Sequence, residues 1–267
     1  MDPSDTMKYA EPLDYIPLWG IYTATVIVVL FSIEGGFRLG RRRVRIIEAE
    51  KESSVGSMVS ASLGLLAFLL AFTFGLAASR YEARREVFLD EVNALGTTYL
   101  RAGLLPEPYR TEMRDLLREY VDVRIEGVRS EKIEEAIHRS EKLHDQLWSR
   151  AAEVGEKNQN SIIVGLFIQS LNEVIDLHTK RVVAGLRSRI PTVIWLVLYA
   201  ITVLAMAEMG YQTGLAGKRR PLSIPAVALA FSAVIVLIAD LDRPGQGLIR
   251  VSQEAMDQLR ETLSTSR

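Results

Sequence analysis

Four apolar segments in this chain are each long enough to cross a lipid bilayer, and no other feature restricts its fold as strongly. A bilayer core about 30 Å thick requires roughly 20 mainly apolar helical residues. The segments occupy residues 16–36, 55–78, 190–211 and 221–241, and the charged stretch 79–189 separates them into two close pairs. The sequence therefore predicts an integral membrane protein with a substantial extramembrane domain.

The extramembrane stretch has helical periodicity. Beyond Ser79, apolar residues at alternating steps of four and three, such as Phe88, Val92 and Leu95, continue the second span as one helix. We predict an all-α polytopic fold with four transmembrane helices and an extramembrane antiparallel helical bundle between the second and the third. The predicted parts are an N-terminal tail (1–15), the first two spans with a basic loop (16–78), the helical domain (79–189), the last two spans with a basic loop (190–241), and a C-terminal turn with a short amphipathic helix (242–267).

Two local features predict helix boundaries in the helical domain. Ser130 precedes a run of glutamates, which is typical of an N-cap residue followed by an acidic first turn. The segment 160–189 is predicted to be a helix that enters the third span through Pro191, where the missing backbone donor predicts a kink.

Composition and motifs exclude several classes of function. The chain has no cysteine, which excludes disulfides and thiol nucleophiles, and its net charge of −1 argues against a nucleic-acid partner. Glu135-x-x-His138 and Glu141-x-x-His144 have the spacing of carboxylate metal bundles, but both lie on one helix and project in different directions. We therefore assign them to a solvated face, and we expect no metal, no cofactor and no enzymatic activity.

Cations near the span ends predict the orientation in the membrane. Short loops rich in lysine and arginine tend to remain in the cytoplasm. Such cations follow the first span and separate the last two spans, as Arg38, Arg41, Arg42, Arg43, Arg45 and Lys51, and as Lys218, Arg219 and Arg220. The charge pattern therefore places the helical domain on the periplasmic or extracellular side.

Small residues form a continuous stripe along the second span. Their steps of four and three average about 3.7 residues, close to the period of a straight helix. The stripe consists of Gly56, Ser60, Gly64, Ala67, Ala71, Gly75 and Ala78. Small residues allow close approach of helices, so the stripe serves either packing within the protomer or a subunit interface or pore. In the second case Ser57 and Thr73 add polar lining, and Phe68, Phe72 and Phe74 form the constriction.

Charged residues at the ends of the second and fourth spans predict a collar. The residues are Arg80, Arg84 and Arg85 on one segment and Asp240, Asp242 and Arg243 on the other. Such a collar either holds the spans together or forms a vestibule that attracts anions.

Three sequence blocks, residues 70–101, 104–108 and 239–252, resemble the pattern of a bacterial membrane family known as bestrophin-like. A more local similarity to bestrophin anion channels is carried by Ser79-Arg80-Tyr81, Arg84-Arg85 and Asn93, where the second span runs into an arginine-rich helix. The resemblance implies a homo-oligomer in the bacterial inner membrane, a pentamer surrounded by lipid, that passes small inorganic anions through a pore lined by the second span.

The resemblance leaves two alternatives open for the function of the chain. The chain is either such a channel or a non-conducting scaffold or sensor whose helical domain binds a partner or ligand. The helical domain of bestrophins is cytosolic, so the resemblance implies the opposite orientation to the one that the loop cations predict.

Overall fold

The computed structural model describes residues 16–44, 52–130, 132–217, 223–243 and 247–265, and these residues form helices without any strand. The helices are α1 (Leu18–Val44), α2 (Glu52–Ala102), α3 (Tyr109–Arg129), α4 (Ile133–Lys157), α5 (Ile162–Val182), α6 (Thr192–Leu215), α7 (Ser223–Asp242) and α8 (Glu254–Thr265). Four of them, α1, α2, α6 and α7, are long and apolar enough to span a membrane. The predicted all-α fold with four spans is confirmed.

The described helices belong to two compact units. The membrane unit contains α1, α6, α7 and the part of α2 that ends at Tyr81. The helical unit contains α3, α4, α5, α8 and the part of α2 that begins at Glu82. The C-terminal helix α8 therefore belongs with the extramembrane bundle, because its buried Met256 and Leu263 pack into the core of that bundle.

Glycines bring α1 and α6 into backbone contact inside the membrane unit. A Cβ added at Gly36 would overlap the carbonyl group of Ala207, and one added at Gly210 would overlap that of Ile33. Gly40 and Gly214 meet in the same way one turn further along. Such small-residue crossings hold helices together in lipid, where no hydrophobic force drives their association. This crossing was not predicted, because the continuous stripe of small residues in the sequence lies on the second span and not on α1 or α6.

The basic residues after the first span are helical. α1 continues to Val44, and Arg41, Arg42 and Arg43 lie in its last turn. Cations at the C-terminal end of a helix interact favourably with the partial negative charge of the terminal carbonyl groups. This interaction explains why α1 extends beyond its apolar segment. The remaining cations of the two predicted loops, at positions 45, 51 and 218–220, lie outside the described residues.

The helical unit has one core built from the predicted apolar stripes. Phe88, Leu95 and Tyr99 of α2 pack there with Met113 and Leu117 of α3. α4 and α5 complete the core, among others through Leu147, Val154, Phe167, Leu171 and Val174.

Two predicted helix boundaries differ from the structure. Ser130 is the C-cap of α3, where its backbone N–H and its hydroxyl both donate to the Glu126 carbonyl, and α4 begins at Ile133 without a side-chain cap. α5 ends at Val182 and is followed by one wider turn, 183–187, with i→i+5 hydrogen bonding. Pro191 then precedes α6 in an extended conformation instead of kinking a continuous helix. The reason is steric, because proline disfavours helical geometry in the residue before it.

Candidate functional site

α2 presents two different faces within the membrane unit. One face is buried, and Leu66, Leu70 and Ala77 belong to the unit's hydrophobic core. The other face is exposed and carries the central members of the small-residue stripe, Ser60, Gly64, Ala67, Ala71 and Gly75. The two ends of the stripe, Gly56 and Ala78, are half-buried.

The exposed stripe does not pack against other parts of the described protomer. A Cβ added at Gly64 or at Gly75 would meet no atom within 4 Å. Only at Gly56 would it meet a neighbour, the side-chain nitrogen of Gln212, at 3.0 Å. Packing among the described residues therefore does not explain why the middle of the stripe consists of small residues.

The exposed faces of the other three spans have a different character. They carry bulky apolar side chains of the size that suits contact with lipid tails. These are Trp19, Ile27, Val28 and Phe31 on α1, Val193, Leu196, Val197 and Leu204 on α6, and Leu229, Val234 and Leu237 on α7. α2 also exposes Phe68 and Phe72, and α7 exposes Ala226, Ala230 and Ala233, so the α2 face differs by the greater length of its small-residue stripe and by the two exposed glycines within it.

Two of the three predicted constriction residues share the exposed side of α2. Phe68 and Phe72 are 65% and 61% exposed, and their spacing of four residues places one above the other on the helix. Phe74 is less exposed, and two residues along a helix correspond to a turn of about 200°, so it points away from Phe72. Phe74 therefore lies on a different side of α2 from Phe68 and Phe72, and its place in a constriction stays a prediction.

The predicted polar lining is also divided between the two faces. Ser57 and Ser60 are exposed, and the Ser60 hydroxyl donates to the Gly56 carbonyl at 2.9 Å. Thr73 is only 2% exposed and donates to the Leu69 carbonyl at 2.7 Å. Its burial in the protomer corrects the prediction that Thr73 lines an exposed face.

The face of α2 is uncharged until the helix reaches its arginines. No charged residue occurs from Gly56 to Ser79. Arg80 follows, half-buried, with Nη1 hydrogen-bonded to nothing among the described residues. Arg84 is buried, whereas Arg85 is exposed and lies 3.6 Å from the carboxylate of Glu82. A long apolar stretch is therefore followed directly by cations along one helix.

The three predicted collar residues at the end of α7 hold backbone groups of the membrane unit. Asp240 accepts from the backbone N–H groups of Leu248 at 2.9 Å and of Ile249 at 3.1 Å. Asp242 accepts from the N–H of Ile190 at 2.9 Å, and Arg243 donates to the carbonyl of Ile16 at 2.8 Å. All three side chains are buried. Within the described protomer these three side chains therefore fix backbone groups of the membrane unit.

Comparison with known proteins gives one family and several solved structures. The pattern of the family described as the bestrophin-like domain matches residues 24–256. A variant of a bacterial bestrophin homologue from Klebsiella pneumoniae has a TM-score of 0.65 at 14% identity, with 94% of this chain and 99% of that chain covered.

Two further crystal structures show the same fold. Another structure of the Klebsiella pneumoniae homologue has a TM-score of 0.66 at 14% identity, with coverages of 92% and 96%. One described only as a membrane protein has a TM-score of 0.61 at 15% identity, with coverages of 91% and 95%. A comparison with curated proteins finds no match.

Proposed function

Because this chain belongs to the bestrophin-like family, we propose that it is a homo-oligomeric channel that passes small inorganic anions along a pore lined by the exposed face of α2. The observation that carries this proposal is the size of the side chains on that face. Gly64, Ala67, Ala71 and Gly75 belong to an exposed strip of small residues that is longer than any such strip on the other described spans. Copies of α2 approach one another closely through such residues, and an oligomer gives the exposed stripe a partner.

The chemistry of this face suits a gated pathway. Phe68 and Phe72 project from a surface of much smaller residues, so in a ring of α2 helices they are the narrowest points. Apolar constrictions of this kind exclude water and control ion passage by dewetting. Arg85 continues the four-and-three spacing of the stripe beyond Ala78, through Glu82. A cationic group in this position raises the local concentration of anions.

The first experiment measures chloride flux in liposomes that contain the purified protein. We expect the wild-type protein to conduct chloride and Phe72→Ala to conduct it faster, because the substitution removes a bulky apolar side chain from the constriction. Phe31→Ala is the matched control, since Phe31 is 74% exposed on α1 and outside the proposed pore.

Arg85→Glu is expected to shift the ion selectivity of the same liposomes toward cations, with the largest change at low salt, where charges are screened least.

The same preparations test assembly. Gly64→Leu is expected to reduce the oligomer seen in detergent, because a leucine prevents close approach of neighbouring α2 helices. Gly35→Leu, on an exposed position of α1 that also has no atom within 4 Å of an added Cβ, is expected to assemble normally. If wild-type protein and Phe72→Ala are silent as folded oligomers, a non-conducting scaffold or sensor replaces the channel. A monomeric wild-type protein would contradict a pore formed by several copies of α2.

The orientation is proposed from the loop cations, with the helical unit outside the cytoplasm of the bacterial inner membrane. The chain has no cysteine, so a single introduced cysteine is a unique reporter. Ser130 and Ala216 are both exposed, and they lie in the helical unit and at the end of α6. In intact cells we expect an impermeant thiol reagent to label Ser130→Cys and not Ala216→Cys. The reverse pattern would show a cytosolic helical unit.

A further inference from the structure

A buried polar network joins four helices of the helical unit. Glu91 of α2 is 0% exposed and forms ion pairs with Arg181 of α5 and with Arg124 of α3, whose Nε lies 3.3 Å from Oε1. The hydroxyl of Tyr120 donates to the same carboxylate at 2.8 Å. Gln253, just before α8, reaches Arg181 at 3.4 Å. Burial raises the pKa of Glu91, but the two guanidinium groups outweigh burial and lower it to about 2.

Two histidines extend the network toward α4 and α5. Nδ1 of His178 lies 3.1 Å from the Tyr120 hydroxyl oxygen. The ring of His144 stacks on Tyr120 with centroids 5.0 Å apart and meets the edge of His178 at 4.8 Å. Both imidazoles are more than nine-tenths buried. The burial of His144 corrects its assignment to a solvated face, whereas His138 does lie in solvent.

The hydrogen bonds determine the tautomer of His178. Tyr120 has one hydroxyl proton, and that proton is donated to Glu91. The contact with His178 therefore requires that Nδ1–H donates to the tyrosine oxygen, which leaves Nε2 of the neutral ring as an acceptor. Nε2 of His178 and Nε2 of His144 are both buried and have no hydrogen-bond partner among the described residues. His178 thus holds a proton-accepting atom that the closed structure does not use.

Burial and the nearby guanidinium groups oppose protonation of the two rings. Glu91 of α2 and Arg124 of α3 act on both rings, Arg181 of α5 acts on His178, and Glu141 and Asp145 of α4 act on His144. Burial first, and Arg124 second, lower the pKa of His144 to about 4 and that of His178 to about 3. The same cations disfavour a metal ion, and no group of three or more histidine and acidic side chains within the described residues is placed to hold one.

We propose that the two histidines and the Glu91 network form an acid-operated latch, which keeps α4 and α5 packed against α2 and α3 while both imidazoles are neutral and releases them when the rings take up protons. In the closed unit, protonation adds two cations beside Arg124 and Arg181, with Glu91 as the only carboxylate within the buried network. In the opened unit the rings are hydrated, and the added charge costs little.

The direction of the pH dependence follows from proton binding. The pKa of a solvated histidine is about 6.5, above the pKa of either ring in the closed unit, so the open form binds more protons. The two neutral histidines stabilise the closed helical unit fully above pH 6.5, and this contribution decreases as the pH falls toward 4 and 3. Glu91 acts in the same direction, because its lowered pKa gives stabilisation that is lost between pH 4.5 and about 2.

The latch is tested by hydrogen exchange of the full-length protein in detergent. Protection factors, which correct for the intrinsic pH dependence of exchange, are measured for α4 and α5 at pH 7 and pH 4.5. We expect a decrease of at least about tenfold in the wild-type protein. The double variant His144→Phe with His178→Gln is expected to change by only about twofold, the part that Glu91 contributes at pH 4.5, because phenylalanine keeps the stacking and glutamine keeps a donor for Tyr120 without titrating.

His138→Gln is the matched control, since this third histidine lies on the same helix as His144 and is exposed. It is expected to respond to acid as the wild-type protein does. His144→Phe alone provides a second variant if the double variant does not fold. Its protection factors are expected to decrease less than those of the wild-type protein between pH 7 and pH 4.5, because opening is then coupled to the uptake of one proton fewer. Unchanged protection in the wild-type protein at pH 4.5, or a wild-type response in both His144 variants, would overturn the proposal.

Discussion

Gly36→Ala is expected to prevent normal packing of the membrane unit, whereas Gly35→Ala, one residue away, is expected to leave it as stable as the wild-type protein. A Cβ at Gly36 lies 2.8 Å from the carbonyl carbon of Ala207 and 2.9 Å from the backbone nitrogen of Tyr211. Backbone atoms cannot rotate away as a side chain does, so α1 and α6 must separate. Overpacking in a core costs about 1–3 kcal/mol, and here it also disrupts a helix crossing.

The measurement is the thermal unfolding midpoint of each purified variant in detergent, with size-exclusion chromatography as a check on aggregation. Gly35→Ala is the control because its added Cβ meets no atom within 4 Å. Gly210→Ala, on the opposite helix, is expected to behave like Gly36→Ala, since its Cβ would lie 2.8 Å from the carbonyl carbon of Ile33. Equal stability of Gly35→Ala and Gly36→Ala would contradict the close crossing of α1 and α6.

Glu91→Ala is expected to cost the helical unit about 3–5 kcal/mol, the range for removing one partner of a buried ion pair. The substitution leaves Arg124 and Arg181 facing each other without their shared carboxylate, and it removes the acceptor of the Tyr120 hydroxyl. Asp90→Ala is the matched control, because Asp90 is the preceding residue on α2 and is exposed. We expect its effect to stay within about 0.5 kcal/mol.

Urea unfolding of the helical unit, followed by the fluorescence of Trp148 on α4, provides the measurement for this pair. The two other tryptophans, Trp19 and Trp195, lie in the membrane unit and are replaced by phenylalanine in the background of both variants. A loss below about 1 kcal/mol for Glu91→Ala would mean that hydration of the two guanidinium groups replaces the ion pairs, and would contradict a closed, dry network.

The spans and the long α2 helix were predictable because length and hydropathy decide them. Twenty apolar residues cross a bilayer whatever their neighbours, and the stripe from Phe88 to Tyr99 has one helical period. The direction in which the small stripe faces was not predictable. Close packing inside a protomer and a free surface require the same residue sizes, and only the positions of the neighbouring helices distinguish them.

The α1–α6 crossing was missed for a related reason. Gly36 and Gly40 occur where the apolar segment gives way to arginines, so the sequence indicated a loop, although α1 continues for two further turns. Their partners Gly210 and Gly214 have the same spacing of four on α6, and this repeated pattern is the signal that would have revealed the contact.

The burial of His144 was not predicted, because its ring is polar and ionisable. It lies four residues after buried Ser140 and three before buried Leu147, in step with the apolar side of α4. Its ionisable ring and the nearby Glu141 favoured a solvated face. The partners that satisfy the network come from other helices, at Glu91 and Tyr120, and no local pattern connects positions so distant in sequence.

Packing within the described protomer does not require the small size of Gly64 and Gly75, because no atom of the described protomer lies within 4 Å of an added Cβ at either position. The α1–α6 crossing, which does hold the membrane unit together, is elsewhere. Contacts among the described residues therefore do not restrict side-chain size at these two positions. Under the proposed function, a combinatorial library at Gly64, Ala67 and Ala71 would separate effects on assembly and ion passage from effects on the fold, which makes this strip a suitable starting point for engineering.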